Sequence, residues 1–207
     1  LALLLNELRS NRYKRIVQTV TYMPHFISQV VVCGIILDFF SSNGLVNQII
    51  QLLGGQMTIF MQDPKYFRGI YVGSNIWQEV GYSSIIYLSA LSAVDMELYD
   101  AAAIDGCNRF KRVLHVTLPG IMPTIVIMLI LRMGSMMSLG FEKIILLYNE
   151  SIYETSDVIA SFVYRYGMQK GNYSYATAVG LFNSLFNFLL LILVNGISRK
   201  VNETSLW

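Results

Sequence analysis

The segment at residues 100–123 reads DAAAIDGCNRFKRVLHVTLPGIMP, and it lies between two long apolar stretches of the chain. It is too polar to cross a bilayer, yet it has few of the Ser, Gly and Pro residues expected of a slack linker. Asp95 precedes it as a predicted helix N-cap, and Gly106 can end that helix in a left-handed conformation. The sequence therefore predicts a folded element here, which consists of a helix, a glycine turn and a second helix.

The second helix of this element has an amphipathic pattern. Asn108 is its predicted cap, and Pro119 is predicted to end it. The residues that share one face at helical spacing are Phe110, Val113, Leu114, Thr117 and Leu118. The residues that lie elsewhere are Arg109, Arg112 and Val116. This pattern is typical of a helix with one buried side.

The composition around this element is that of a membrane protein. Hydrophobic residues make up 54% of the 207 residues and charged residues 14%, whereas soluble domains carry about a quarter charged residues. The apolar residues gather into blocks long enough to cross a bilayer, which takes about 20 residues of helix. The four blocks are residues 16–40, 70–93, 121–147 and 176–197, and a short apolar stretch at residues 1–5 is expected to be the end of an earlier span. Pro24 predicts a kink in the first block.

The basic residues fall mainly in one set of loops. That set comprises Arg9, Arg12, Lys14, Arg15, Arg109, Lys111, Arg112, Arg199 and Lys200, and the opposite set comprises Lys65, Arg68, Arg165 and Lys170. By the positive-inside rule, residues 9–15, 95–120 and 199–207 are predicted to face the cytoplasm. The net charge of +2 is too small to favour nucleic acid as a partner.

Motifs for catalysis, metal binding and nucleotide binding are missing from the sequence. It contains no zinc-ligand spacing, no metalloprotease or hydrolase signature and no phosphate-binding loop. Cys33 and Cys107 lie in environments that do not favour a mutual disulfide, and His25 and His115 have no partner at ligand spacing. We therefore expect no catalytic residue, metal or cofactor on this chain, and any ATP must be bound by a partner.

Residues 100–119 resemble the EAA loop of permease subunits of binding-protein-dependent ABC importers. The family pattern is Glu-Ala-Ala, three residues, Gly, nine residues, Ile, one residue and Leu-Pro. The residues that fill these positions are Asp100, Ala101, Ala102, Gly106, Val116, Leu118 and Pro119, with conservative departures at positions 100 and 116. Residues 12–29, which include the run YMPHFIS, resemble the polysaccharide permeases of the LplB type.

This resemblance implies an all-α integral membrane protein with the MetI-like fold of type I ABC importers, commonly of six spans. Residues 1–207 would be a single transmembrane domain with four full spans and the end of an earlier one. Residues 95–119 would form the cytoplasmic coupling helix that docks in a groove of an ATPase.

The resemblance also implies the partners and the location. These are a second homologous permease subunit, two ATPase subunits that hold ATP and Mg, an extracytoplasmic solute-binding protein, membrane lipid and a carbohydrate such as an oligosaccharide. The chain would be a multi-pass protein of the bacterial cytoplasmic membrane and not itself an enzyme.

Polar and aromatic residues inside the apolar blocks are candidates for a carbohydrate pathway, because sugar hydroxyls need hydrogen-bonding groups and sugar C–H faces pack on rings. The candidates are Tyr82, Tyr87, Arg132, Ser135, Asn183 and Asn187. Residues 132, 135, 136 and 139 form one stripe, which we expect to face a second stripe at residues 176, 180, 183 and 187. The alternative is that Asn183 and Asn187 only bond a neighbouring helix.

Charged residues near the ends of the apolar blocks are interpreted as residues of the membrane interface. Glu79, Glu142 and Lys143 lie close enough to the ends that their charged groups are expected to reach the interface. Arg132 lies deeper in its block, where a charged side chain is costly in lipid. A functional role is therefore a stronger hypothesis for Arg132 than for the other three residues.

Two other classes of function compete with an ABC permease. An ion-coupled secondary transporter or channel predicts inverted repeats, or acidic residues deep in broken helices, and would work without an ATPase. An intramembrane enzyme needs paired catalytic residues at membrane depth, and the sequence contains none.

Overall fold

The computed structural model describes residues 1–8, 10–137 and 140–202, without the side chains of residues 200–202. Its α-helices are α1 (Ala2–Asn6), α2 (Asn11–Tyr22), α3 (Gln29–Phe39), α4 (Leu45–Leu52), α5 (Pro64–Ser92), α6 (Met96–Ile104), α7 (Arg109–Arg112), α8 (Leu118–Gly120), α9 (Met122–Gly134), α10 (Phe141–Leu147), α11 (Tyr153–Ser156), α12 (Ile159–Val163) and α13 (Tyr173–Asn202). Short 3-10 helices cover Met23–Phe26, Phe60–Gln62 and Glu150–Ile152, and π-helical turns cover Val113–Thr117 and Tyr164–Gln169. No β-strand occurs within these described ranges, which confirms the prediction of an all-α protein.

One helix of the described residues is both long and apolar enough to cross a membrane, and it is Tyr173–Arg199 within α13. Two pairs of consecutive helices are long and apolar enough together but are bent where the two helices meet. If each bent pair counts as one span, the number of candidate spans rises to three. These pairs are Asn11–Phe26 with Gln29–Phe39, bent by 97°, and Arg109–Gly120 with Met122–Gly134, bent by 64°. Helix α5 covers residues 70–92 of the second apolar block without a break, but its residues are on average less hydrophobic than those of α13. The prediction of four full spans therefore stays a prediction.

Two of the apolar blocks are interrupted. In the first block, Pro24 lies in a 3-10 turn and Ser28 then caps α3, so the predicted kink is confirmed. The third block is not one helix, because α9 ends at Gly134 and α10 begins at Phe141. Glycine is a weak helix former, and the Ser135 hydroxyl donates to the carbonyl of Arg132 at 3.2 Å, which favours a break at this point.

Packing divides the chain into two units, of which the first comprises residues 1–22, 79–135 and 187–207. Its core contains Ala2, Leu91 and Ile121, with Tyr87 packed against them. Helix α5 comes very close to α2 at Gly81, where a Cβ atom would lie 1.9 Å from the carbonyl oxygen of Thr21.

The second unit comprises residues 23–78 and 136–186. Its core brings α3 together with α5, with α10 and with the 3-10 turns at Phe60–Gln62 and Glu150–Ile152. The buried residues of this core are Val32, Cys33, Ile36, Met61, Phe67, Leu147 and Ile152.

Lys143 of α10 corrects a prediction from the sequence. Its side chain was expected to reach the interface, but it is only 1% exposed. The Nζ atom donates to Asn75 Oδ1 at 2.9 Å and lies 5.8 Å from the centre of the Tyr71 ring. Burial of an ammonium group is costly unless such partners are present. The break after Gly134 makes α10 a separate helix that packs on α3, so residue 143 is not at the end of a straight span.

Candidate functional site

The first helix of the predicted coupling segment has the expected caps. Asp95 precedes α6, and its Oδ1 accepts a hydrogen bond from the Glu97 amide at 2.9 Å. Gly106 has a φ of +73°. The Cys107 amide donates to the Ala102 carbonyl at 2.9 Å and the Gly106 amide donates to the Ala103 carbonyl at 3.1 Å. This pair of bonds is the Schellman motif, so the predicted glycine turn is confirmed.

The second helix of the segment begins as predicted but ends later. The Oδ1 atom of Asn108 accepts a hydrogen bond from the Lys111 amide at 2.9 Å. The helix then continues through a π-helical turn to Gly120, so Pro119 does not end it. Pro119 is therefore the residue before the last one of this helix. The direction changes instead after Gly120, where α9 follows at 64°.

A side-chain hydrogen bond joins the two helices of the segment. The Tyr99 hydroxyl donates to Thr117 Oγ1 at 3.0 Å, and Thr117 is buried. Ala102, in the first of these two helices, is also buried. The sequence placed Thr117 on a buried face but did not identify Tyr99 as its partner, since the two residues are 18 positions apart.

The outer surface of the segment is apolar and exposed in this chain. Ile104 is 87% exposed and Phe110 is 76% exposed, and Leu98 and Leu114 are exposed as well. We call these four residues the coupling surface. Phe110 and Leu114 were expected on the buried side of their helix, so that expectation is wrong for the isolated chain. The described residues of this chain leave these four side chains largely uncovered, so they can contact another molecule.

The residues that match the EAA pattern are therefore distributed over both sides of the segment. Asp100, Ala101, Gly106 and Pro119 are exposed, Ala102 is buried, and Val116 and Leu118 are half-buried. Small residues at 101 and 102 leave the backbone of α6 accessible to close approach. The coupling role of these residues stays a prediction.

A cavity of about 600 Å³ lies in the second unit, beside the first half of α13. Its lining includes Phe141, Tyr164, Tyr173, Gly180, Asn183 and Ser184. The Oδ1 atom of Asn183 is buried and has no hydrogen-bond partner among the described residues. A buried acceptor without a partner is rare in proteins and is the kind of group that a ligand hydroxyl or a water can satisfy.

The other candidate pathway residues lie in the first unit. Tyr82, Arg132 and Ser135 are exposed, and Tyr87 and Asn187 are half-buried. Residue 139 of the predicted first stripe lies outside the described residues. That the two predicted stripes face each other therefore stays a prediction. Three residues of the second stripe, Ala176, Gly180 and Asn183, do line one cavity.

An ionic cluster before α13 was not anticipated from the sequence. Arg165 donates to the carboxylate of Asp157, and the Ser161 hydroxyl donates to the same carboxylate. The guanidinium carbon of Arg165 lies 4.5 Å from the centre of the Tyr153 ring. The hydrogen bond to Asp157 raises the pKa of Arg165 above its ordinary value. The pair fixes the segment that forms one wall of the cavity.

Residues 1–203 match the model of the family described as binding-protein-dependent transport system inner membrane component. The chain belongs to this family. It therefore falls in a class of transport components of the inner membrane and not in a class of enzymes.

Individual relatives share this assignment. Protein LplB of Bacillus subtilis (strain 168) is 43% identical over 208 residues, and the polygalacturonan/rhamnogalacturonan transport system permease protein YteP of the same organism is 40% identical. Both matches cover 100% of this chain and 65% of the relative, so the chain spans about two thirds of the length of these relatives.

A solved structure resembles the fold closely. It is a bacterial alginate ABC transporter in complex with an alginate pentasaccharide-bound periplasmic protein, and the TM-score is 0.97 at 42% identity. The match covers 99% of this chain and 72% of that chain. The fold is therefore that of a MetI-like ABC permease, as the resemblance implied.

Proposed function

We propose that the whole protein is the permease subunit of an ATP-driven importer that moves an oligosaccharide or a similar carbohydrate across the cytoplasmic membrane. The observation that carries this proposal is the segment at residues 95–120, which has capped helices, a left-handed glycine turn and an exposed apolar surface. The substrate class is supported by the relatives, since one is named for polygalacturonan and rhamnogalacturonan and a structural neighbour is named for alginate.

In this proposal the coupling surface docks in a groove of a cytoplasmic ATPase, which binds ATP and Mg. Ile104 and Phe110 supply apolar area, and the exposed Asp100 offers one charge to a polar part of the groove. The Tyr99–Thr117 hydrogen bond keeps the two helices together, so that they move as one body. The second helix leads at Gly120 into α9, and closure of the ATPase would thereby turn a helix of the pore.

The carbohydrate would pass along the polar side of α13. Asn183 Oδ1 accepts a hydroxyl hydrogen, and the rings of Tyr164 and Tyr173 in the same cavity offer faces for sugar C–H groups. A second homologous permease completes the pathway, and an extracytoplasmic binding protein delivers the solute. The exposed Tyr82 and Arg132 are further candidates for contacts along this route.

Copurification tests the proposed class of transporter. We expect an ATP-binding subunit to be retained with the affinity-tagged protein in mild detergent, because the coupling surface is apolar and otherwise uncovered. The alternative, an ion-coupled transporter or channel, predicts uptake into vesicles that contain the tagged protein without any ATPase. Such uptake, driven by an ion gradient alone, would contradict the proposal.

Replacement of Asn183 and Asn187 in α13 tests the pathway. In Asn183→Leu and Asn187→Leu variants of the assembled complex we expect altered uptake or solute preference, with basal ATPase activity retained. The physical reason is that Leu removes the hydrogen-bond acceptor but keeps a similar volume. The measurements are uptake, ATP hydrolysis and subunit stoichiometry. Loss of assembly would instead favour a structural role, in which such interhelical contacts average about 0.6 kcal/mol. Unchanged uptake in both variants would also contradict the pathway.

A further inference from the structure

The short helix α4, in the loop at residues 40–63, also displays apolar side chains to the surroundings. Leu52 is 86% exposed and Leu53 is 83% exposed, values close to that of Ile104 in the coupling surface. Helix α4 has eight residues and is about 12 Å long at 1.5 Å per residue, so it cannot span a bilayer. The coupling surface has a proposed partner, whereas the described residues leave Leu52 and Leu53 of the α4 segment largely uncovered.

The shape of this loop is fixed by one buried side chain. Asn47 is 1% exposed, and its Nδ2 atom donates to the carbonyls of Ser41 and Thr58, both at 2.9 Å. Its Oδ1 atom accepts a hydrogen bond from the Thr58 amide, also at 2.9 Å. Two of these three bonds hold the returning chain at Thr58 against α4, and the third holds the chain before the helix at Ser41. The turn between them has a φ of +80° at Gly54.

This clamp determines which face of α4 points outward. Asn47 lies on the inner face, and four apolar side chains form an exposed stripe on the other side of the helix. The stripe consists of Leu45, Ile49, Leu52 and Leu53. Gln48 and Gln51 flank it as uncharged polar residues. The three hydrogen bonds of Asn47 thus orient the stripe away from the chain that packs on α4.

Helix α4 follows α3 after five residues, and α3 is part of the first apolar block. Gly44, its N-cap, lies so close to the last turn of α3 that a Cβ atom there would be 2.3 Å from the Asp38 carbonyl oxygen. Residues 39–62 contain no Asp, Glu, Lys, Arg or His, and the nearest charged residues are Asp38 and Asp63 at the two ends. Because the loop combines an apolar stripe with uncharged polar residues, no charge has to leave water when the stripe enters the boundary between headgroups and acyl chains.

We propose that α4 lies in the bilayer interface with its stripe of Leu45, Ile49, Leu52 and Leu53 inserted between lipid acyl chains, held in that orientation by Asn47. The partner of this surface is lipid. The loop would thus anchor the end of α3 at a fixed depth and angle, independently of the carbohydrate and of the ATPase.

Depth-dependent quenching in nanodiscs tests the proposal without any transport assay, so its failure is separate from a failure of the proposed function. A fluorescent NBD group is attached to single cysteines, Leu52→Cys in the stripe and the adjacent Gln51→Cys as the matched control, with Cys33 and Cys107 replaced by Ser. We expect the label at 52 to be quenched by lipids with a spin label in the acyl chain and protected from aqueous iodide. The label at 51 should show the opposite preference.

Three outcomes would overturn the proposal or part of it. Iodide quenching of both labels would place α4 in water. Protection of position 52 only after addition of the purified solute-binding protein would make a protein the partner of the stripe. In an Asn47→Ala background we expect the contrast between 51 and 52 to disappear while the chain stays inserted, and persistence of that contrast would contradict the role of the clamp.

Discussion

Uptake by the assembled importer is expected to fall to a small fraction of its normal rate when Gly106 is replaced by Leu. The residue has a φ of +73°, and a non-glycine residue in the left-handed region costs roughly 1–2 kcal/mol. A Cβ atom at this position would have nothing within 4 Å, so strain and not a clash is the cause. The Schellman bonds of Gly106 and Cys107 would break to relieve the strain, and the coupling surface would lose its fixed geometry. Membrane insertion should persist, because the segment lies outside the apolar blocks.

The matched control for this prediction is Gly106→Asn, since Asn tolerates the left-handed region far better than Leu. We expect it to retain much of the uptake that Gly106→Leu loses. Asp100→Lys, on the exposed side of α6, should also reduce uptake by reversing the charge offered to the ATPase. The measurements are uptake and solute-stimulated ATP hydrolysis. Normal values of both in Gly106→Leu and in Asp100→Lys would show that the segment does not couple the ATPase to the pore.

Gly81→Ala is expected to destabilise the protein more than the same substitution at Gly69 or Gly73 of α5. The added Cβ atom would lie 1.9 Å from the Thr21 carbonyl oxygen and 2.4 Å from its carbon, so α2 and α5 would have to separate. Backbone atoms cannot rotate away as a side chain can, and overpacking typically costs about 1–3 kcal/mol. This cost exceeds the gain in helix propensity of about 1 kcal/mol that Ala has over Gly. We expect a lower midpoint of thermal unfolding and a lower yield of folded protein in detergent.

Gly73→Ala in the same helix is the control. A Cβ atom at Gly73 meets nothing within 4 Å in this chain, so only the helix propensity changes. Its thermal midpoint should be unchanged or higher. An equal loss of stability in both variants would mean that the approach of α2 to α5 is not limited by residue 81.

The coupling segment was largely predictable because its signals are local. The Asp95 and Asn108 caps and the Gly106 turn each depend on residues within one helical turn. The stop predicted at Pro119 is one residue early, since the helix runs through the π-helical turn and ends at Gly120.

The contacts between distant segments were not predictable. The pair Gly69 and Gly73 has the small-residue spacing of close helix packing, yet Gly81, which no spacing singles out, makes the close approach. Lys143 was assigned to the interface from its place near a block end, and its actual partner Asn75 is 68 positions away. The Arg165–Asp157 pair and the cavity beside Asn183 likewise depend on how the segments before α13 fold back.

The sequence by itself thus determined the class of the protein, the four apolar blocks and the capped coupling segment, because composition, periodicity and capping act over short stretches of chain. Only the tertiary structure decided that the third block breaks after Gly134, which glycine lets α2 approach α5 and why Lys143 is buried. Each of these depends on the distance between atoms of remote segments. Those distances follow from packing the whole chain, and no single stretch of residues encodes them.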